Sequence, residues 1–114
     1  MAETDWKFSL ASVQDAIAAR NDGKRFHYPL HHGSMRVGLY APRGEDPQLP
    51  HTQDELYIVL SGSGNCVKGK ERRAFKPNDV LFVEAGITHR FENFTDDFST
   101  WVVFWGPQGG ESVT

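Results

Sequence analysis

The amino-acid sequence predicts one all-β domain, a sandwich or barrel of short strands, preceded by one short N-terminal α-helix. Three observations predict it. The chain has 114 residues, enough for one hydrophobic core and too few for two. Helical periodicity is confined to residues 9–23. From residue 35 onward, short β-prone runs alternate with turn sequences about every eight to twelve residues, the rhythm of sandwiches and barrels.

Each element follows from local chemistry. Leu10, Val13, Ala16 and Ile17 recur at three- and four-residue spacing and make one apolar stripe. Ser9 or Ser12 is a candidate cap, Ser12 with Asp15 resembles a capping box, and Asn21-Asp22-Gly23 is a stop signal. Residues 24–34 carry no periodic signal, so 1–34 are expected to form the helix and a lead-in packed on the strands; His31-His32 reads as a solvated loop pair. Strands are expected at 35–41, 55–60, 65–68, 72–75, 80–83, 88–92 and 98–105, which places the β domain at 35–105. Residues 46–50 are too proline-rich for a central strand. The Gly- and polar-rich residues 106–114 are expected to be a loose tail. Phe82, Phe91, Trp101, Val103 and Phe104 are the candidate core and wall.

Composition narrows the function. Lys and Arg number 12 against 15 Asp and Glu, a net charge of −3, and 39% of residues are hydrophobic. This is a globular composition with no electrostatic case for nucleic acid or an anionic membrane. Residues 1–5 are acidic and lack a secretory pattern, and the lone Cys66 has no internal disulfide partner, so a reducing cytoplasm is the expected location. The basic residues Lys68, Lys70, Arg72 and Arg73 flank a hairpin turn and read as a solvated sheet edge.

The chemistry concentrates in two places. His51, Gln53 and Glu55 occupy alternate positions leading into a strand, so in extended chain their side chains share a face with Leu49 and Tyr57. His89 follows Gly86 at the start of another strand. Two histidines and a carboxylate suit a divalent first-row metal (iron, manganese, nickel, zinc or cobalt) and leave positions for water or substrate. Spacing alone leaves open that these are ordinary strand histidines.

The pattern around these residues resembles the cupins. Gly44 precedes Leu49-Pro50-His51, residues 52–54 lead to Glu55, and six residues, 56–61, separate Glu55 from Gly62, in the manner of the first cupin motif. Asn78, Glu84, Gly86, His89 and Asn93 fall on the positions of the second motif. The resemblance covers about residues 35–105. It implies an antiparallel double-stranded β-helix, the jelly-roll β-barrel, with metal ligands His51, Glu55 and His89 on its inner wall and a homodimeric assembly. The first motif histidine is Leu49 here, and Gln53 is a candidate replacement through its carboxamide oxygen; an alternative alignment takes His51 as the first ligand and Gln53 as the second. Asn78 stands for a motif glycine and tolerates the positive φ that position takes. Two functions are implied: a metal-dependent enzyme, dioxygenase or isomerase-like, acting on a small oxygen-bearing molecule with Tyr57 and Leu49 lining the pocket, or a non-catalytic module that binds a small ligand or metal at a degenerate site.

Overall fold

A computed structural model of the chain describes residues 6–113; residues 1–5, whose acidic pattern bears on targeting, and residue 114 lie outside the described residues. The helix α1 (Leu10–Ala18) begins at Ser9, whose Oγ accepts from the Ser12 amide at 3.1 Å. Val13 and Ile17 are its buried residues and pack on Leu39, flanked by Phe8, Leu10, Leu60 and Trp101. It ends a turn short of the expected stop at Gly23, because no apolar residue after Ala19 continues the stripe. Arg20 instead donates to the Phe26 carbonyl at 3.0 Å and pairs with Asp22 at 2.6 Å, turning the chain toward the sheet.

Eight strands follow: β1 (Phe26–His32), β2 (Met35–Tyr40), β3 (Asp54–Ser61), β4 (Gly64–Lys68), β5 (Glu71–Phe75), β6 (Val80–Val83), β7 (His89–Glu92) and β8 (Ser99–Trp105). They form a five-stranded sheet ordered β1-β2-β8-β3-β6 and a three-stranded sheet ordered β5-β4-β7, with every pairing antiparallel. The architecture is mostly β with one short helix, and the two sheets do not close on each other. No helix among the described residues is long and apolar enough to cross a membrane.

β1 adds a strand within the lead-in of residues 24–34, where no periodic signal was read. His31 and His32 are the exposed end of this strand, paired with Arg36 and Met35. The strand is hard to read locally because it contains Pro29, which lies where the β1–β2 register shifts, on the edge strand of the sheet. Proline lacks the N–H that a central strand needs, and such an edge position tolerates it.

The core lies between the sheets. Tyr57, Val59, Val83, Val102 and Phe104 face it from the larger sheet, and Cys66, Phe75 and Phe91 from the smaller one, with Phe98 between. Three of the five residues expected in the core and wall are displaced. Phe91 and Phe104 are buried, but Phe82 is exposed and Trp101 and Val103 are only half-buried. In β8 the inward positions are Thr100, Val102 and Phe104, and the apolar residues between them face outward. Their unbroken hydrophobicity hides the period of two. The lone Cys66 is a core residue; burial pushes its thiol up to about 11, which keeps it inert.

Turns fix the strand ends. Gly62 has φ +81°, and a Cβ there would lie 2.5 Å from the Phe98 Cα, so only glycine fits. Asn78 adopts φ 75°, the conformation expected of it.

Candidate metal centre

Alternation runs through the middle of β3. Glu55, Tyr57 and Val59 point inward while Ile58 is exposed. Glu55, 1% exposed, thus stands between the sheets at the start of β3. His89 opens β7 in the opposite sheet and is 2% exposed. His51 comes from the segment before β3, and its carbonyl accepts from the Gly86 amide at 2.8 Å. That bond ties the loop carrying one histidine to the turn that leads into the other. The ligand atoms of His51, Glu55 and His89 all lie within 4.8 Å of one another, the separation a shared ion requires.

The hydrogen bonds decide what this cluster can hold. His51 Nδ1 lies 2.6 Å from the Gln53 carbonyl, and His89 Nδ1 lies 2.9 Å from the Ile87 carbonyl. A carbonyl oxygen only accepts, so each Nδ1 carries the proton, and a neutral ring then leaves a lone pair on Nε2. Both Nε2 atoms face Glu55 Oε1, at 2.7 and 3.1 Å. His89 Nε2 also faces the Tyr57 hydroxyl at 3.1 Å. That hydroxyl donates its one hydrogen to Gln48 Oε1 at 2.9 Å, and the Gln48 amide is oriented by Asp46 Oδ2 at 2.7 Å. Acceptors therefore meet acceptors at the centre of the cluster, and a cation is needed among them.

A proton or a metal ion satisfies that need. Burial pushes the Glu55 carboxyl up, but the side-chain contacts with His51 and His89 outweigh it and hold the group below the usual carboxylate range. Burial likewise pushes His89 down, and its bonds to Glu55 and the Ile87 carbonyl outweigh it and raise the imidazole. Both shifts show one demand, positive charge beside Glu55. Two ligands each about 2.1 Å from one ion stand roughly 3 Å apart, close to the spacings found here. The donor set, the fixed ring orientations and these spacings fit a divalent metal, and the backbone carbonyls on Nδ1 are the orienting partners such ligands use.

The remaining candidate residues are placed elsewhere. Leu49 is 80% exposed and does not line the interior; the chain bends at residues 52 and 53, so the alternation of β3 does not extend back to it. Gln53 directs its side-chain nitrogen to the Ser34 and Gly106 carbonyls, at 2.8 and 2.9 Å, and only its backbone oxygen meets His51. Tyr57 is fully buried behind the ligands with its hydroxyl given to Gln48, so it does not line an open pocket. Burial, then the Glu55 charge, raises it well above the ordinary phenol.

Two contributors carry no local signal. Asp54 is buried and accepts from the Ala85 amide at 3.0 Å and the Glu111 amide at 2.9 Å. The first bond steadies the turn before His89. The second, with the Gly109 amide on the Thr52 carbonyl at 2.7 Å, holds the C-terminal segment against the ligand loop, so that this segment is anchored where a loose tail was expected. Asp46 receives the Tyr40 hydroxyl and the Phe91 amide and so joins the ligand loop to both sheets.

A cavity of about 510 Å³ opens beside this centre, between β1 and residues 42–48. Glu55 and Val102 lie at its inner end, Tyr28 and Tyr40 line it, and Arg25 and Arg43 stand at its mouth. Gly38 makes room for the Tyr28 ring: a Cβ there would fall 2.4 Å from it and from the His27 carbonyl oxygen.

A two-sheet antiparallel domain with His, Glu and His converging between the sheets defines a class of small β proteins with a candidate metal site in the interior. The cupin domain family matches residues 36–105, more than half of the chain, and the chain belongs to that family. The uncharacterized protein SCO3923 of Streptomyces coelicolor is 38% identical over 96 residues, 82% of this chain and 90% of that protein. Among solved structures, a cupin 2 conserved barrel domain protein from Salinispora arenicola superposes with TM-score 0.62 at 22% identity, over 75% of this chain and 78% of the other. A cupin superfamily protein from Desulfitobacterium hafniense gives 0.65 at 17% identity, over 83% and 88%. At these identities the structures speak for the fold.

Proposed function

We propose that this chain is a jelly-roll cupin that holds a divalent first-row metal through His51 Nε2, His89 Nε2 and a Glu55 oxygen, and that it acts on a small oxygen-bearing molecule in the adjoining cavity. The observation that carries this reading is the meeting of acceptors: two Nε2 lone pairs and a carboxylate oxygen converge at 2.7 and 3.1 Å while both Nδ1 protons are committed to carbonyls. Bound there, the ion would supply Lewis acidity or a redox centre with coordination positions left for substrate. The chain's own residues do the rest. The Gln53 and Ile87 carbonyls hold the rings in one tautomer and orientation. Glu55 supplies the negative charge, and burial of Glu55 and His89 keeps bulk water from competing. The reaction we favour is of the dioxygenase or isomerase kind, in a cytoplasmic homodimer. The outward face of the larger sheet supports pairing of two copies, since Val80, Phe82 and Ile58 are 59%, 45% and 36% exposed.

A second reading is a non-catalytic binding or sensing module. It is favoured by the exposure of Leu49 and the engagement of the Gln53 amide, which leave three ligands without a fourth protein donor. Elemental analysis of gently purified protein tests the metal. Wild type is expected to hold about one equivalent, as one three-residue centre predicts, and His89→Ala to hold almost none with its circular dichroism unchanged. Equal metal in both proteins after mild chelation would remove the site. Turnover of small oxygen-bearing substrates separates the enzyme from the binding module.

A further inference from the structure

The cavity mouth carries two guanidinium groups in an unusual arrangement. Arg25 Nε donates to the Ala41 carbonyl at 2.9 Å, and Arg43 Nη1 donates to the same oxygen at 3.2 Å and to the Pro42 carbonyl at 3.1 Å. One carbonyl thus gathers two like charges. Among the described residues neither arginine has an ion-pair partner. The acids nearby are engaged elsewhere: Asp22 pairs with Arg20 at 2.6 Å, and Asp46 accepts from Tyr40, Gln48 and Phe91. Glu45 lies at the mouth but outside ion-pair distance of both. Burial and the Arg43 charge together hold the Arg25 guanidinium below its ordinary value.

Like charges brought together without an acid repel, and an anion between them relieves the repulsion. The donors for one are in place. Arg25 has spent only Nε and keeps both terminal nitrogens; Arg43 has spent one. Guanidinium forks match the oxygen spacing of carboxylate and phosphate. The same cavity reaches Glu55 at its inner end, and its volume of about 510 Å³ is that of a small-molecule site.

We propose that the cavity takes a small organic molecule bearing one oxyanion, a carboxylate or a phosphate, which docks on Arg25 and Arg43 while its other end reaches the His51–Glu55–His89 centre. The role of that inner end rests on the reading of the centre as a metal site; the arginine clamp does not.

Calorimetric titration of zinc-loaded and chelator-stripped protein with succinate, inorganic phosphate and uncharged succinamide tests this. Succinate or phosphate is expected to bind stripped wild type about tenfold or more tighter than succinamide, the margin of a charge-assisted hydrogen bond. The tighter of the two identifies the oxyanion. Arg25→Gln and Arg43→Gln are each expected to weaken it about tenfold while zinc stoichiometry is kept. Binding should also weaken as salt rises. Oxyanion binding no tighter than succinamide, or as tight in both variants as in wild type, overturns the proposal. If a variant fails to fold, the wild-type comparison of charged and uncharged probes decides alone. Wild type that takes up no zinc yet binds the oxyanion through the arginines overturns the metal centre and upholds the clamp.

Discussion

Two ends of the space between the sheets are built on one alternation and do opposite things. Along β3 the inward positions run Glu55, Tyr57, Val59, and along β7 they run His89, Phe91. At the far end, Phe75, Phe91 and Phe98 pack with ring centroids 4.7 to 5.4 Å apart and Phe94 closes the cluster. At the near end the same kind of position holds a carboxylate and two imidazoles, with Phe104 the aromatic against His51 at 4.9 Å. The far end stabilises, since buried aromatic area is the largest favourable contribution available to so small a domain. The near end spends stability, because buried charge and facing acceptors are tolerated only with a partner cation. Packing alone would select apolar side chains at those inward positions, which is why the polar cluster is the candidate site.

The largest effect is expected from attacking the stabilising end. Phe98 is fully buried, and Phe98→Ala should cost about 3–5 kcal/mol in urea unfolding through lost burial and a cavity, with zinc stoichiometry unchanged in the folded fraction. Loss of zinc in the folded variant would break the division between the two ends. Glu55→Gln inverts the result. The carboxamide N–H can donate to a histidine Nε2, so stability should stay within about 1 kcal/mol while zinc retention falls to near zero. A variant that keeps zinc would show the carboxylate is not a ligand. Leu49→His sits at the small end of the scale. Leu49 is 80% exposed, so the new imidazole should alter neither stability by more than about 0.5 kcal/mol nor zinc affinity. Tighter zinc binding would mean that residues 46–50 can swing the side chain inward and supply a fourth donor.

Much of the fold was legible because it is written in short-range pattern. The helix stripe Val13–Ile17 and the seven later strands follow from periodicity and turn chemistry. β1 was not, since Pro29 interrupts its local strand signal and pairing with β2 makes it a strand. Trp101 and Val103 of β8 were misassigned for the converse reason: when both faces of a strand are apolar, alternation no longer says which side is inside. The centre was legible as residue types at motif spacing. Its neighbours Gln48, Asp46 and Asp54 were not, because each acts through partners distant in sequence.

By itself the sequence determined which side chains are available and that His51, Glu55 and His89 share a pattern with metal-binding cupins. Tertiary structure alone decided that they converge, that Leu49 faces solvent and Gln53 turns toward Ser34 and Gly106, and that Arg25 and Arg43 meet over one carbonyl. The physical reason is one of range. Periodicity is set by steric and hydrogen-bonding rules within a few residues, whereas the direction of an imidazole lone pair is set by which backbone oxygen occupies its other nitrogen, and that is fixed only when the two sheets have packed.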